Sequence, residues 1–257
     1  MKSSINLHID KMPGIARCLA VLFWIAIWYF GSILVDNPLI LPSPADTVKA
    51  LLEMLKGQAF YLSLGVTLGR VFGGIVISAA AGLLFGILSG LNRLAYTLIL
   101  PFVTVVRTLP VVSVSILLNL WLKSSVVPLM VTFLVCFPII WTNTVEGIDN
   151  TDQKLLEMAA LYRVSFYKKL RFIYLPSLRP YMTAGMMSVI GMGWRSTVTS
   201  EVLANALPSI GMNLYYTKVY LETKQLFAWT LVVVLCSFLI ERFTIALLKK
   251  QKEGVKG

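Results

Sequence analysis

Six stretches of mainly apolar residues run through this 257-residue chain, at about 16–35, 62–91, 95–122, 126–144, 178–200 and 226–248. A helix needs about 20 such residues to cross the hydrocarbon core of a bilayer. In lipid the backbone must satisfy its own hydrogen bonds, so segments of this kind fold as helices. The expected fold class is an all-α integral membrane protein of about six transmembrane helices. Composition agrees: 14% of the residues are charged, where a soluble domain carries about 25%. The connections leave no room for a large soluble domain, and residues 1–257 read as a single transmembrane domain.

The formal net charge of +11 would suggest nucleic acid on a soluble protein. Here the basic residues lie mostly between the apolar stretches, and no nucleic-acid partner is expected. With a cytoplasmic N-terminus, the inner side receives Lys2, Lys11, Arg17, Arg93, Lys154, Arg163, Lys168, Lys169, Arg171, Arg179, Arg242, Lys249, Lys250, Lys252 and Lys256. The outer side receives only Lys49, Lys56, Lys123, Lys218 and Lys224. That asymmetry places both termini in the cytoplasm. The basic start resembles a signal peptide, but no A-x-A-like cleavage site follows, so the first stretch reads as a retained helix. Cys18, Cys136 and Cys236 are far apart in apolar segments and read as buried small hydrophobes. His8 reads as solvated, and no metal site is expected.

The longest inner connection, 146–177, is the most informative. Leu155, Met158, Ala159 and Tyr162 share one face of a helix by their three- and four-residue spacing. Ser165 can N-cap a second short helix running through Lys169 and Arg171. Two short helices joined by a turn form a knob, suited either to a partner's groove or to the membrane interface. On the outer side, Pro44 after Ser43 fits a helix start within Leu41-Pro-Ser-Pro44. The chain lacks the G-x-x-x-x-G-K-[ST] phosphate loop, so ATP hydrolysis by this chain alone is not expected.

Within the spans, small residues recur at every fourth position: Gly74, Ser78, Gly82, Gly86 and Gly90. Such a row admits close helix approach, either in static packing, the plainer reading, or at a dimer or moving interface. Arg107 precedes Pro110, where the third span is interrupted and freed backbone groups can line a cavity. Arg195 lies in the fifth span beside Thr199. It fits either an ion pair with Glu201 or another carboxylate, or a cationic patch for an anionic solute. Arg70, near an outer end, is expected to snorkel. Met186, Met187 and Met192 read as packing residues.

The inner connection resembles the EAA signature of ABC importer permeases, in which Glu-x-Ala is followed four residues on by Gly and ten residues later by Ile-x-Leu-Pro. Glu157, Ala159, Ile173, Leu175 and Pro176 hold those places, with Ala160 beside them. The Gly place holds Arg163, a departure that bears on the turn between the helices. The resemblance extends to the nitrate/sulfonate/taurine-type branch through Leu41-Pro-Ser-Pro44, Arg107-Thr-Leu-Pro110, Phe137-Pro-Ile139 with Asn143, Thr144 and Gly147, and the pair Trp194 and Glu201. Ile116 and Lys123 stand where that branch has Pro and Gly, which marks a divergent member.

The resemblance implies a permease homodimer in a bacterial cytoplasmic membrane, with an extracytoplasmic substrate-binding protein. Cytoplasmic ABC ATPase subunits would dock on Glu157, Ala159, Ala160, Arg163, Ser165, Ile173, Leu175 and Pro176. ATP and Mg would be bound by the ATPases, with no cofactor on this chain. Arg107, Pro110, Trp194, Arg195, Thr199 and Glu201 are the candidate pathway residues for a small anionic or polar solute. An ion-gradient-driven secondary transporter is the alternative, and the scarcity of mid-span carboxylates counts against it. An intramembrane enzyme would need a nucleophile–base pair or a metal cluster, which no span offers.

Overall fold

The computed structural model describes residues 14–253, and all regular structure among them is helical. Lys2, His8, Lys11 and Lys256, used above, lie outside the described residues. The described chain forms two compact units, 14–58 with Leu214–Leu231, and Ala59–Asn213 with 232–253.

In the first unit, α1 (Gly14–Val35) is an apolar helix whose side chains are largely exposed, Cys18 among them, so that cysteine is not the buried hydrophobe expected. Helix α2 (Pro44–Met54) starts where the Leu-Pro-Ser-Pro segment predicts. Ser43 is its N-cap, its hydroxyl accepting from the Asp46 amide at 3.1 Å. Pro44 takes the first turn, where its missing N–H leaves nothing unsatisfied. The Trp28 indole donates to the Pro42 carbonyl at 3.1 Å and stacks on Phe227, which ties the segment to α1.

The second unit is organised around α6 (Val127–Asp149), a mostly buried helix. Against one side lies α3 (Gln58–Leu91), the 34-residue second span. A Cβ added at Gly74, Gly82, Gly86 or Gly90 would come within 2.6, 2.7, 2.5 or 2.8 Å of Thr132, Ile140, Thr144 or Ile148. The row therefore meets residues spaced by the same multiples of four on α6, ridge against ridge. Ser78 completes it by donating to the Phe133 carbonyl at 3.1 Å. The two sets of numbers rise together, so α3 and α6 run in the same direction. The row serves packing within one chain.

Helix α9 (Leu175–Leu203) covers another side of α6, running the opposite way. Gly147 meets Leu178, Gly185 meets Asn143, and Gly193 meets Cys136. The Thr132 and Thr197 hydroxyls share a hydrogen bond.

Between α3 and α6 the chain must return from one end of the unit to the other. It does so through α4 (Arg93–Thr108) and α5 (Val111–Trp121), which meet at 108°. The break falls at Leu109-Pro110, as the sequence predicts. Pro110 lacks an N–H and pushes Leu109 into an extended conformation, φ −72°, ψ 128°. At about 24 and 17 Å long, neither piece alone spans a ~30 Å hydrocarbon core.

Four described helices, together with this bent pair, are long and apolar enough to cross a membrane. Helix α9 does not meet that criterion, yet this 29-residue helix runs antiparallel along α6, in contact with it from Leu178 to Thr197. Its polar residues are tolerated because much of it is buried in protein. Two further helices follow: α10 (Ile210–Val219) and α11 (Thr223–Glu253), the latter covering the sixth stretch. Cys136 is buried and Cys236 half-buried.

Candidate functional site: a buried clasp, an exposed loop and an arginine face

One end of the second unit is closed by a charge network. Glu201, near the end of α9, is completely buried. Its carboxylate accepts from Arg70 Nη1 at 2.8 Å, from Thr67 Oγ1 at 2.9 Å and from the Gly211 amide at 3.1 Å. Thr67 and Arg70, three residues apart on α3, point the same way. Thr67 Oγ1 also accepts from the Ile210 amide at 3.1 Å. Nε of the guanidinium donates to the Ser125 carbonyl at 3.1 Å, and Nη1 is shared with the carbonyls of Pro208 at 3.2 Å and Ala206 at 3.4 Å. Removing ions from water is costly unless every donor and lone pair is used, and here most are. The clasp joins α3, the turn before α6, the end of α9 and the start of α10.

This network corrects one expectation and decides between two others. Arg70 does not snorkel to water; it is 6% exposed and pairs with Glu201. Arg195 has no ion pair with Glu201 or any other carboxylate among the described residues; its Nε donates to the Gly191 carbonyl at 3.0 Å. Arg70 and Thr67 were missed as partners. The available signal was that an arginine and a glutamate both fell near the outer ends of apolar spans, where each needs a partner.

The opposite end carries the long connection. Helix α7 (Gln153–Leu161) is N-capped by Asp152, which accepts from the Lys154 amide at 2.9 Å. It ends in a Schellman turn: Val164 N donates to the Ala159 carbonyl at 2.9 Å and Arg163 N to that of Ala160 at 3.0 Å. The turn requires a left-handed residue, and Arg163 supplies it at φ 49°. The register of the Glu-x-Ala pattern survives without the glycine. Ser165 begins the next helix with extended backbone, but its hydroxyl makes no capping bond, unlike the expectation.

That helix is not a separate short one. It runs from α8 (Phe166–Lys169) through a π-helical turn, Leu170–Tyr174, directly into α9. Pro176 follows the π turn, where its missing N–H is accommodated. On α7, Ala159 is buried, whereas Leu155, Met158 and Tyr162 are exposed, Tyr162 at 75%. Glu157 and Ala160 are exposed, and Glu157 makes no hydrogen bond or ion pair among the described residues. Ile173 is half-buried; Leu175 and Pro176 are exposed.

The candidate pathway residues divide. Trp194, 1% exposed, and Glu201 lie in the protein interior and line no open surface. Arg107, Pro110, Arg195 and Thr199 are exposed. Arg107 Nη1 reaches Thr142 Oγ1 on α6 at 3.4 Å. Arg195 and Thr199 continue an exposed stripe on α9 with Met187 and Met192.

The sequence pattern of the family described as "Binding-protein-dependent transport system inner membrane component" matches residues 82–252. The chain belongs to this family. It is the permease subunit of an ABC importer, a transport subunit and not an enzyme. Importers of this family work with an ATPase and a substrate-binding partner. The permease is 25% identical to SsuC of Bacillus subtilis, named for aliphatic sulfonates transport, over 88% of this chain and 82% of that one. It is 28% identical to the bicarbonate transport system permease protein CmpB of Synechococcus elongatus, over 79% and 77%. It is 24% identical to the taurine transport system permease protein TauC of Escherichia coli, over 83% and 80%.

Proposed function

We propose that this permease forms a homodimer in the bacterial cytoplasmic membrane, with both termini inside. An external binding protein delivers a small anionic or polar solute, and two cytoplasmic ATPase subunits dock on the α7 knobs. The observation that carries the reading is the α7 surface, where exposed Leu155, Met158 and Tyr162 stand beside the unpaired Glu157. An apolar helical face with one free charge suits a groove on a soluble partner. ATP and Mg2+ belong to the ATPase, and this chain holds neither. Because α8 continues into α9, displacement of the knob by nucleotide-driven closure passes along a rigid helix to the pathway.

Arg195 and Arg107 support the solute class. An arginine exposed within a span is costly against lipid. A water-filled pathway completed by the second copy removes that cost and favours an anion. Relatives named for sulfonates, bicarbonate and taurine fit the same chemistry.

Glu157→Lys tests docking. We expect the folded variant to purify with at least tenfold less ATPase subunit and to lose uptake; unchanged co-purification and uptake would refute the role. Arg195→Ala tests the pathway. Uptake of an anionic solute should fall severalfold with the complex intact, and normal uptake would remove Arg195 from the pathway.

A further inference from the structure

The residues between the α7 turn and the start of α9 form a second surface, beside the exposed α7 face and distinct from it in chemistry. Lys168 and Arg171 are exposed and Lys169 is half-buried. Phe166, Tyr167 and Phe172 interleave them at 62%, 67% and 68% exposure. Arg171 lies over the Phe172 ring, 5.7 Å from its centroid. Among the described residues none of these three cations makes an ion pair. The helix is continuous from Phe166 to Leu203, so the depth of this patch follows from helix rise. Phe172 is 29 residues from Glu201, about 43 Å along the axis. A bilayer with its headgroup layers is ~40–45 Å thick. With the clasp at one surface of the membrane, the patch lies in the headgroup layer of the other.

Unpaired cations interleaved with aromatic rings at that depth complement an anionic headgroup over acyl chains. We propose that Lys168, Lys169 and Arg171, with Phe166, Tyr167 and Phe172, bind anionic phospholipid of the inner leaflet and fix the root of the knob to the membrane. The rings occupy the boundary with the acyl chains while the cations hold the phosphate. The π-helical turn, Leu170–Tyr174, lies within this anchor, so lipid steadies an irregular stretch between knob and span. The site does not depend on ATPase docking at Glu157.

The test is native mass spectrometry of the full-length chain released from nanodiscs of phosphatidylcholine with graded phosphatidylglycerol. The native chain should retain phosphatidylglycerol. Lys168→Gln/Lys169→Gln/Arg171→Gln should lower that retention at least tenfold. The charge-preserving Lys168→Arg/Lys169→Arg/Arg171→Lys should keep it, as should the control Lys49→Gln/Lys56→Gln/Lys218→Gln, which removes the same number of cations from the first unit. Equal retention by the neutral triple variant overturns the proposal. So does loss of co-purifying ATPase with retention unchanged, which would assign the patch to a protein partner. If the triple variant does not fold, Lys168→Gln and Arg171→Gln singly decide: a loss of about threefold to fivefold each supports the site, and no loss overturns it.

Discussion

The same backbone device ends α7 and α9 of this permease in opposite surroundings. Helix α7 ends in a Schellman turn with Arg163 left-handed at φ 49°, and α9 in another with Asn205 at φ 52°. In the second turn Ala206 N donates to the Glu201 carbonyl at 3.0 Å. At α7 the turn residues Leu161, Tyr162 and Arg163 are exposed, only the small Ala159 is buried, and Glu157 is unpaired among the described residues. At α9 the residue whose carbonyl closes the turn is also the buried carboxylate that Arg70, Thr67 and Gly211 hold. Local geometry is therefore not what distinguishes a fixed end from one free to engage a partner. The difference lies in how many other segments bond to it. Four segments meet at the clasp, whereas the α7 turn is closed by its own backbone.

The strongest way to break this comparison is Glu201→Ala. It leaves the Arg70 charge buried without its counter-ion, a loss of about 3–5 kcal/mol. Thermal unfolding in detergent should show a lower midpoint or little folded protein. Arg70→Met/Glu201→Leu should recover part of the loss, since an apolar pair leaves no orphaned charge. Full stability of Glu201→Ala would show that the clasp does not hold the end together.

The two left-handed positions sharpen the comparison at smaller magnitude. Asn205→Val places a β-branched residue where φ is positive, at a cost of about 1–2 kcal/mol. Arg163→Gly works in the other direction. It relieves a similar strain, offset by roughly 0.5–1 kcal/mol of extra chain entropy, for a net gain below about 1 kcal/mol. Loss of stability in Arg163→Gly would mean that the Arg163 side chain, and not the turn, matters at this place. Glu157→Lys should leave the unfolding midpoint unchanged, because an exposed carboxylate without partners contributes little to the fold; a lowered midpoint would contradict its exposure and lack of partners.

Much of this architecture is legible along the chain because its causes are local or come from the lipid. Pro110 interrupts the third span, Ser43 and Pro44 open α2, and apolar length marks most of the spans. The Glu157–Pro176 register was legible through its spacing, and Arg163 did not disturb it because non-glycine residues can take a left-handed turn at a modest cost. What misled was treating each charge by its position in its own segment. Arg70 near a span end looked free to reach water, yet it is the residue that is buried and paired. For Arg195 the sequence left an ion pair and a cationic patch both open, and no carboxylate pairs with it among the described residues. The stretch at 178–200 was also legible as a span, although its polar residues are ones that neighbouring helices shelter.

By itself, then, the sequence determined that the chain is helical, lies in a membrane and breaks its helices at particular prolines and caps. Those outcomes depend on hydrogen bonds within a few residues and on the cost of bare backbone in lipid. Only the tertiary structure decided that Glu201 belongs to Arg70, 131 positions away, that the small-residue row of α3 faces α6, and that Arg195 is left on the surface. Each of these depends on which helices stand side by side, and a buried charge or a missing side chain takes its meaning from the neighbour that fills the space.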